Sequence, residues 1–251
     1  MKVIVVDDKR QGAELVVDDF ISFARQEPAA NVGLATGGSM EPVYEALVRR
    51  VREGHVNLDQ VRWFLLDEYL GIGDDNPARY RAEIHRQLVD PLGLDPTKLF
   101  GPSPDLALAE HEGQRYEVVI RDAGGIDWQF LGIGRDGHIG FNEPGSSLAS
   151  RTRIKTLRPE TRRDNARYFG GKVEAVPTQA ITQGIATIGD ARRLVLVAWG
   201  EAKAAAVARC VEGPLSAMTP ASVLQLHPRV TVIVDEPAAG ELRLKDHYCH
   251  S

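Results

Sequence analysis

Two cysteines, Cys210 and Cys249, are all that the 251 residues contain, and nothing around either suggests a stapled scaffold. A disulfide-dense secreted domain is thereby excluded, and a reducing compartment is the simpler expectation. A surplus of positive charge is also missing: 30 Lys and Arg stand against 35 Asp and Glu, a formal net charge of -5. General nucleic-acid binders need the opposite balance to displace counterions from phosphates, so no nucleic-acid partner is expected and any anionic ligand must be held by local cations. Long apolar runs are absent. Met1 to Val6 turns charged at Asp7-Asp8, too short for a signal peptide or a membrane span, and the chain is expected to be cytoplasmic with no membrane partner. There is no internal repeat and no low-complexity segment. No second compositional regime follows the Pro- and Gly-containing stretch Pro91 to Pro104, which reads as a surface connection, so residues 1–251 are expected to form one domain.

What the sequence does have is a series of short β-branched or apolar runs: Val3 to Val6, Val32 to Ala35, Val61 to Leu66, Trp128 to Ile133, Leu194 to Ala198 and Val230 to Val234. Each is bounded by Gly, Asp or Asn, as buried parallel strands are. Stretches with helical spacing lie between them, such as Ala13, Leu15, Val16, Phe20 and Ile21. This alternation predicts an α/β fold: a single-domain, open, mostly parallel twisted sheet with helices on both faces, Rossmann-like in its layering. Ligands of such sheets collect beyond the carboxyl ends of the strands. The residues there are unusually polar.

After the second run, Thr36-Gly37-Gly38-Ser39 leads into a helix with Pro42 suited to its first turn. Glycines at 37 and 38 let backbone N–H groups approach a phosphate, to which the Ser39 hydroxyl can donate; a plain turn capped by Ser39 is the alternative. After the third run comes Asp67, a carboxylate at the tip of an apolar strand. Partial desolvation there would make it a base able to take a proton from carbon beside a carbonyl, whereas an isolated Asp more often caps a turn. Gly132 to Gly137 matches G-x-G-x-x-G, but His138 to Pro144 follows where a helix should open, so a dinucleotide cofactor is rejected. Within this loop Asp136 and Glu143 bring carboxylates near His138, and Asp136 and His138 would project alike if locally extended. A zinc site is the minority alternative, since the spacing resembles neither H-E-x-x-H nor a His-Cys deaminase motif. Arg151, Arg153 and Lys155 alternate, which in an extended segment makes a cationic stripe or merely a solvated face. Arg163 and Arg167 share helical spacing, and Lys203 opens the helix after the fifth run; either group could reach a phosphate.

Taken in order, Thr36 to Ser39, Leu66 to Tyr69, Gly134 to Pro144, Ser150 to Arg153 and Leu224 to His227 resemble the glucosamine-6-phosphate deaminases over most of the chain. The Phe141-Asn142-Glu143-Pro144 run separates it from the related 6-phosphogluconolactonases, which share the glycine loop and the Asp-Gly-His. The resemblance implies a fold of the deaminase/phosphogluconolactonase type. It also implies conversion of glucosamine 6-phosphate to fructose 6-phosphate and ammonia without metal or organic cofactor. By resemblance, Asp67 moves a proton from C2 to C1 of the open-chain sugar and His138 assists ring opening. Asp136 and Glu143 orient and tune that imidazole, while Gly37, Gly38, Ser39, Arg167 and Lys203 hold the 6-phosphate.

The family's allosteric members place a second sugar-phosphate site between subunits with residues matching Ser146, Arg153 and Lys155, all present here, so a homo-oligomer is compatible with the resemblance. The C-terminal region departs from those members, which run further and carry a Tyr aligned nearer to Cys249. The tail His247-Tyr248-Cys249-His250 could be mistaken for metal ligands and is assigned no function. Two rivals stand beside the deaminase: a lactone hydrolase, which needs His138 but has little use for Asp67, and a non-catalytic sugar-phosphate sensor. A sensor would be expected to carry an added DNA-binding domain, for which a first strand at Val3 leaves no room.

Overall fold

Residues 1–248 are described by the computed structural model; Cys249 and His250 of the tail lie outside them. The six apolar runs all form strands, and all belong to one sheet. Its order is β1-β10-β9-β6-β2-β3-β5, with every pairing parallel. The strands are β1 (Lys2–Val6), β2 (Asn31–Leu34), β3 (Arg62–Leu65), β5 (Leu99–Phe100), β6 (Trp128–Gly132), β9 (Leu194–Ala198) and β10 (Val230–Asp235). All residues of β2 and β9 are buried, so both faces of the sheet centre are covered and alternation is absent from the sequence. Phe20, Trp128 and Phe130 meet with ring centroids 5.2 to 5.6 Å apart at the middle of this core.

The crossovers are carried by α1 (Lys9–Gln26), α2 (Glu41–Arg52), α3 (Tyr80–Ile84), α4 (Asp90–Leu92), α5 (Ala109–Asp122), α6 (Pro159–Asn165), α7 (Ile185–Gly189) and α8 (Ala204–Val211), with α9 (Lys245–Tyr248) last. The Asp8 carboxylate starts α1 by accepting from the N–H groups of Arg10 and Gln11. Between α3 and α4 the chain makes a π-helical turn, His85–Val89. Pro91 to Pro104 is more than a surface connection, because it holds a 3-10 turn at Pro96–Lys98 and the edge strand β5.

A second, three-stranded antiparallel sheet was not expected. It consists of β4 (Asp67–Tyr69), β8 (Gln179–Thr182) and β7 (Arg153–Thr156), in the order β4-β8-β7. Leu66 is where the chain changes sheets: its N–H donates to Leu34 of the main sheet, while its carbonyl accepts from Gln183 beside the small one. Asp67 is therefore the first residue of the new strand. Tyr69, Phe141, Leu157, Ala166, Val176 and Ala180 form a separate small core. That core supports residues 158–176, which overhang the ends of β2, β3 and β6.

Candidate active site

One cleft of 440 Å³ opens at the carboxyl ends of the parallel strands and is lined by Gly37, Gly38, Ser39, Asp67, His138, Arg167 and Lys203. These seven predicted residues, drawn from five separate parts of the chain, meet there. A larger cavity of 790 Å³ between α2 and the π-helical turn holds none of them.

The loop after β2 turns at Gly37, whose φ of +95° is left-handed, and the Met40 N–H closes the turn on the Gly37 carbonyl. Met40, not Ser39, occupies the N-cap of α2 and makes no side-chain cap. Ser39 is thus spared from capping and lines the cleft. Two loop amides are already engaged: the Gly37 N–H donates to Oε1 of Glu83 at 3.1 Å, and the Gly38 N–H to the Tyr168 hydroxyl at 3.1 Å.

Asp67 caps no turn. It sits opposite Thr182 in the small sheet and is 5% exposed. Burial first, then the charges of Glu68 and Glu83, raise its carboxyl well above the usual carboxylate range. Glu68 is turned away, accepting from the Tyr80 and Arg81 N–H groups at the start of α3 and lying 3.4 Å from Arg79. Gly140, at φ +56°, lets the following loop pass close by, for a Cβ there would stand 2.7 Å from the Thr182 hydroxyl and 3.4 Å from Oδ2 of Asp67.

Asp136 and His138 do meet, but through a turn and not through extended backbone. Gly137 takes φ +92°, its N–H donates to the Gly134 carbonyl, and the Gly134 N–H donates to the His138 carbonyl. Oδ1 of Asp136 then accepts the His138 N–H at 3.2 Å and lies 2.7 Å from the ring Nδ1, a close contact that falls short of hydrogen-bond alignment. Burial pushes the Asp136 carboxyl up, but the His138 contacts more than reverse this and leave it at about 2. Asp136 is thus a fixed negative charge behind the imidazole.

Glu143 stands apart from that pair in its contacts. Its buried carboxylate accepts from the Arg158 N–H at 3.0 Å and from the Thr161 hydroxyl, at the start of α6. These contacts tie Glu143 to the start of α6, and Thr161 lines the cleft. Lys203 donates to the Ile133 carbonyl at 2.7 Å; burial, then Arg135 and Arg167, lower its ammonium. Cations crowded in this way favour an anion between them.

Ser146, Arg153 and Lys155 are not at the cleft. Ser146 is buried with no hydrogen-bond partner for its hydroxyl, and Arg153 on β7 donates to Oδ1 of Asn142 at 2.8 Å. Arg151 precedes the strand and pairs with Asp190, so the expected three-cation stripe reduces to Arg153 and Lys155. Among the described residues no group of three or more His, Cys, Asp or Glu side chains is arranged to hold a metal ion. Glu83, Tyr168, Trp199 and Lys9 also line or brace the cleft and carried no signal in the sequence. Trp199 donates its indole N–H to the Ser39 carbonyl at 2.8 Å and so braces the loop after β2.

Residues 9–233 match the family model described as glucosamine-6-phosphate isomerases/6-phosphogluconolactonase. Glucosamine-6-phosphate deaminase of Streptomyces coelicolor is 50% identical over 251 residues, covering 100% of this chain and 96% of that one. The corresponding protein of Mycolicibacterium smegmatis is 49% identical, covering 99% and 95%. A solved structure of a monomeric glucosamine-6-phosphate deaminase superposes with a TM-score of 0.93 at 38% identity, over 96% of this chain and 100% of that one. The 6-phosphogluconolactonase of Trypanosoma brucei shares the fold, with a TM-score of 0.79 at 16% identity. Its full-length identity to the deaminases and the family match together establish that this chain belongs to the glucosamine-6-phosphate isomerase/6-phosphogluconolactonase family.

Proposed function

We propose that the protein is a glucosamine-6-phosphate deaminase, converting glucosamine 6-phosphate and water to fructose 6-phosphate and ammonia in amino-sugar catabolism. The observation that carries this is the buried Asp67 carboxylate, raised in basicity, in one cleft with His138, Lys203, Arg167 and the Gly38-Ser39 loop. Aldose-ketose isomerisation needs a base positioned at C2, a near-neutral group at the ring oxygen, and a remote handle that fixes both distances. Asp67 takes the C2 proton and returns it to C1, giving an enolamine and then an imine whose hydrolysis releases ammonia. His138, with Asp136 holding a negative charge behind Nδ1, moves the proton that opens the pyranose ring. Lys203, Arg167 and Ser39 bind the 6-phosphate, and Glu143 acts by anchoring the start of α6.

Residues 1–251 act in this reading as a single cytoplasmic domain with a small sugar phosphate as partner, and one chain supplies every named residue of the cleft. Chelator-treated protein is to be mixed with glucosamine 6-phosphate while ammonia and fructose 6-phosphate are followed together, with and without N-acetylglucosamine 6-phosphate. Equal release of both products is expected. Absence of both, with turnover of 6-phosphogluconolactone instead, would replace the deaminase by the lactone hydrolase.

Glu83 gives a pH test of the Asp67 assignment. Its negative charge is one cause of the raised Asp67 carboxyl, and the base must be ionised to act, so protonation sets the acid limb of kcat/KM. Glu83→Gln keeps an acceptor for the Gly37 N–H and removes the charge. Asp67 then ionises at lower pH, and the acid limb is expected to move toward acid. A limb that stays in place would detach Asp67 from it.

A further inference from the structure

Resting on the deaminase reading, we infer that the Tyr168 hydroxyl is a further phosphate-binding group, donating its proton to the substrate's 6-phosphate. Tyr168 lies in the 3-10 turn Ala166–Phe169 that follows α6, and its ring side chain lines the cleft beside Gly37, Gly38, Arg167 and Lys203. Its oxygen is 3.9 and 3.8 Å from where Cβ atoms on Gly37 and Gly38 would stand, so it rests against the glycine pair that lets the loop approach an anion.

The hydrogen bonding around this oxygen is what directs the proton. A phenol has one proton to donate and limited acceptor capacity. Here the oxygen accepts from the Gly38 N–H at 3.1 Å and from Nη2 of Arg167 at 2.9 Å. Both donors approach from the loop and the guanidinium, which leaves the O–H free to point at the cleft. Burial, helped by the charges of Glu83 and Glu41, outweighs the lowering by Arg167 and raises the phenol above its ordinary value, so the proton is retained at neutral pH. The Arg167 guanidinium carbon also lies 4.7 Å from the Tyr168 ring centroid, so the same side chain steers a cation already assigned to the phosphate. Phosphate bound here would meet Ser39, Lys203, Arg167 and the phenol together.

Tyr168→Phe removes the oxygen and keeps the ring under Arg167. A hydrogen bond to a charged oxyanion of ordinary strength corresponds to a change on the order of 10-fold or more in affinity. The variant is therefore expected to bind inorganic phosphate roughly 10-fold more weakly by calorimetry, and to raise KM for glucosamine 6-phosphate by a similar factor, more than it lowers kcat. A rise in KM that exceeds the fall in kcat, together with the matching loss of phosphate affinity, is a readout that a merely structural role would not give. Phosphate affinity that is unchanged, or tighter because the freed Gly38 N–H takes the anion, overturns the inference. Wild-type protein that binds phosphate but does not release ammonia would instead sink the deaminase reading and leave the phenol's role to the titration alone.

Discussion

Replacing Asp67 with Asn is expected to lower kcat for glucosamine 6-phosphate by about 10²- to 10⁴-fold, the range that a positioned general base supplies. The replacement is close to isosteric, so KM should change far less. Asp67 is buried beside two like charges, Glu68 and Glu83, and its ionised form is held there at a cost. Asn carries no charge to desolvate, and the melting temperature should therefore stay level or rise. That separates loss of chemistry from loss of fold. In deuterated water the wild type should exchange the C2 proton of the substrate and Asp67→Asn should not. Retained exchange would remove Asp67 from the role of base. Retained hydrolysis of 6-phosphogluconolactone by the same variant would point to the family's other reaction, for which a base at this position has little use.

The main sheet was legible because its strands are buried on both faces, so Leu194 to Ala198 and Val230 to Val234 stand out as unbroken apolar runs. The small sheet was not. Asp67-Glu68-Tyr69 and Arg153-Ile154-Lys155-Thr156 carry charges that resemble loop sequence, and their pairing with Gln179–Thr182 spans up to 115 residues for Asp67 against Thr182. Only tertiary context makes these strands. β5 is a two-residue edge strand inside a Pro- and Gly-bearing segment and offers no periodicity to detect. For the site, the residues placed beyond strand ends were readable because parallel sheets gather ligands there. Glu83 and Tyr168 come from short helical turns whose sequences, Tyr80 to Ile84 and Ala166 to Phe169, give no sign that a Glu or Tyr meets the Gly37-Gly38 amides. Glu143 was read as a partner of His138, and its contacts with the Arg158 N–H and the Thr161 hydroxyl gave no signal, because they depend on where α6 begins in the fold.

Gly134→Ala should cost about 10²-fold or more in kcat/KM, although it adds a single methyl group. Gly134 is not among the glycines with positive φ, so alanine fits its backbone and the effect is steric. A Cβ at this position would lie 2.1 Å from Cε1, 2.2 Å from Nδ1 and 2.5 Å from Nε2 of His138, inside the imidazole. The ring must swing away, and its contact with Asp136 at 2.7 Å goes with it. A misplacement of about 1 Å at a reacting group is enough for a loss of that size. Ser39, Arg167 and Lys203, proposed to hold the phosphate, sit on other elements, so binding of inorganic phosphate should be nearly unchanged while turnover collapses. Asp136→Asn should follow the same pattern, since it too leaves the anion site intact and releases the ring. If Gly134→Ala turned over glucosamine 6-phosphate near the wild-type rate, His138 would have no role that depends on its position. The second glycine of the G-x-G-x-x-G match would then need another explanation. With the expected result, that glycine is explained by the histidine four residues on, whose ring occupies the space that a side chain at 134 would need.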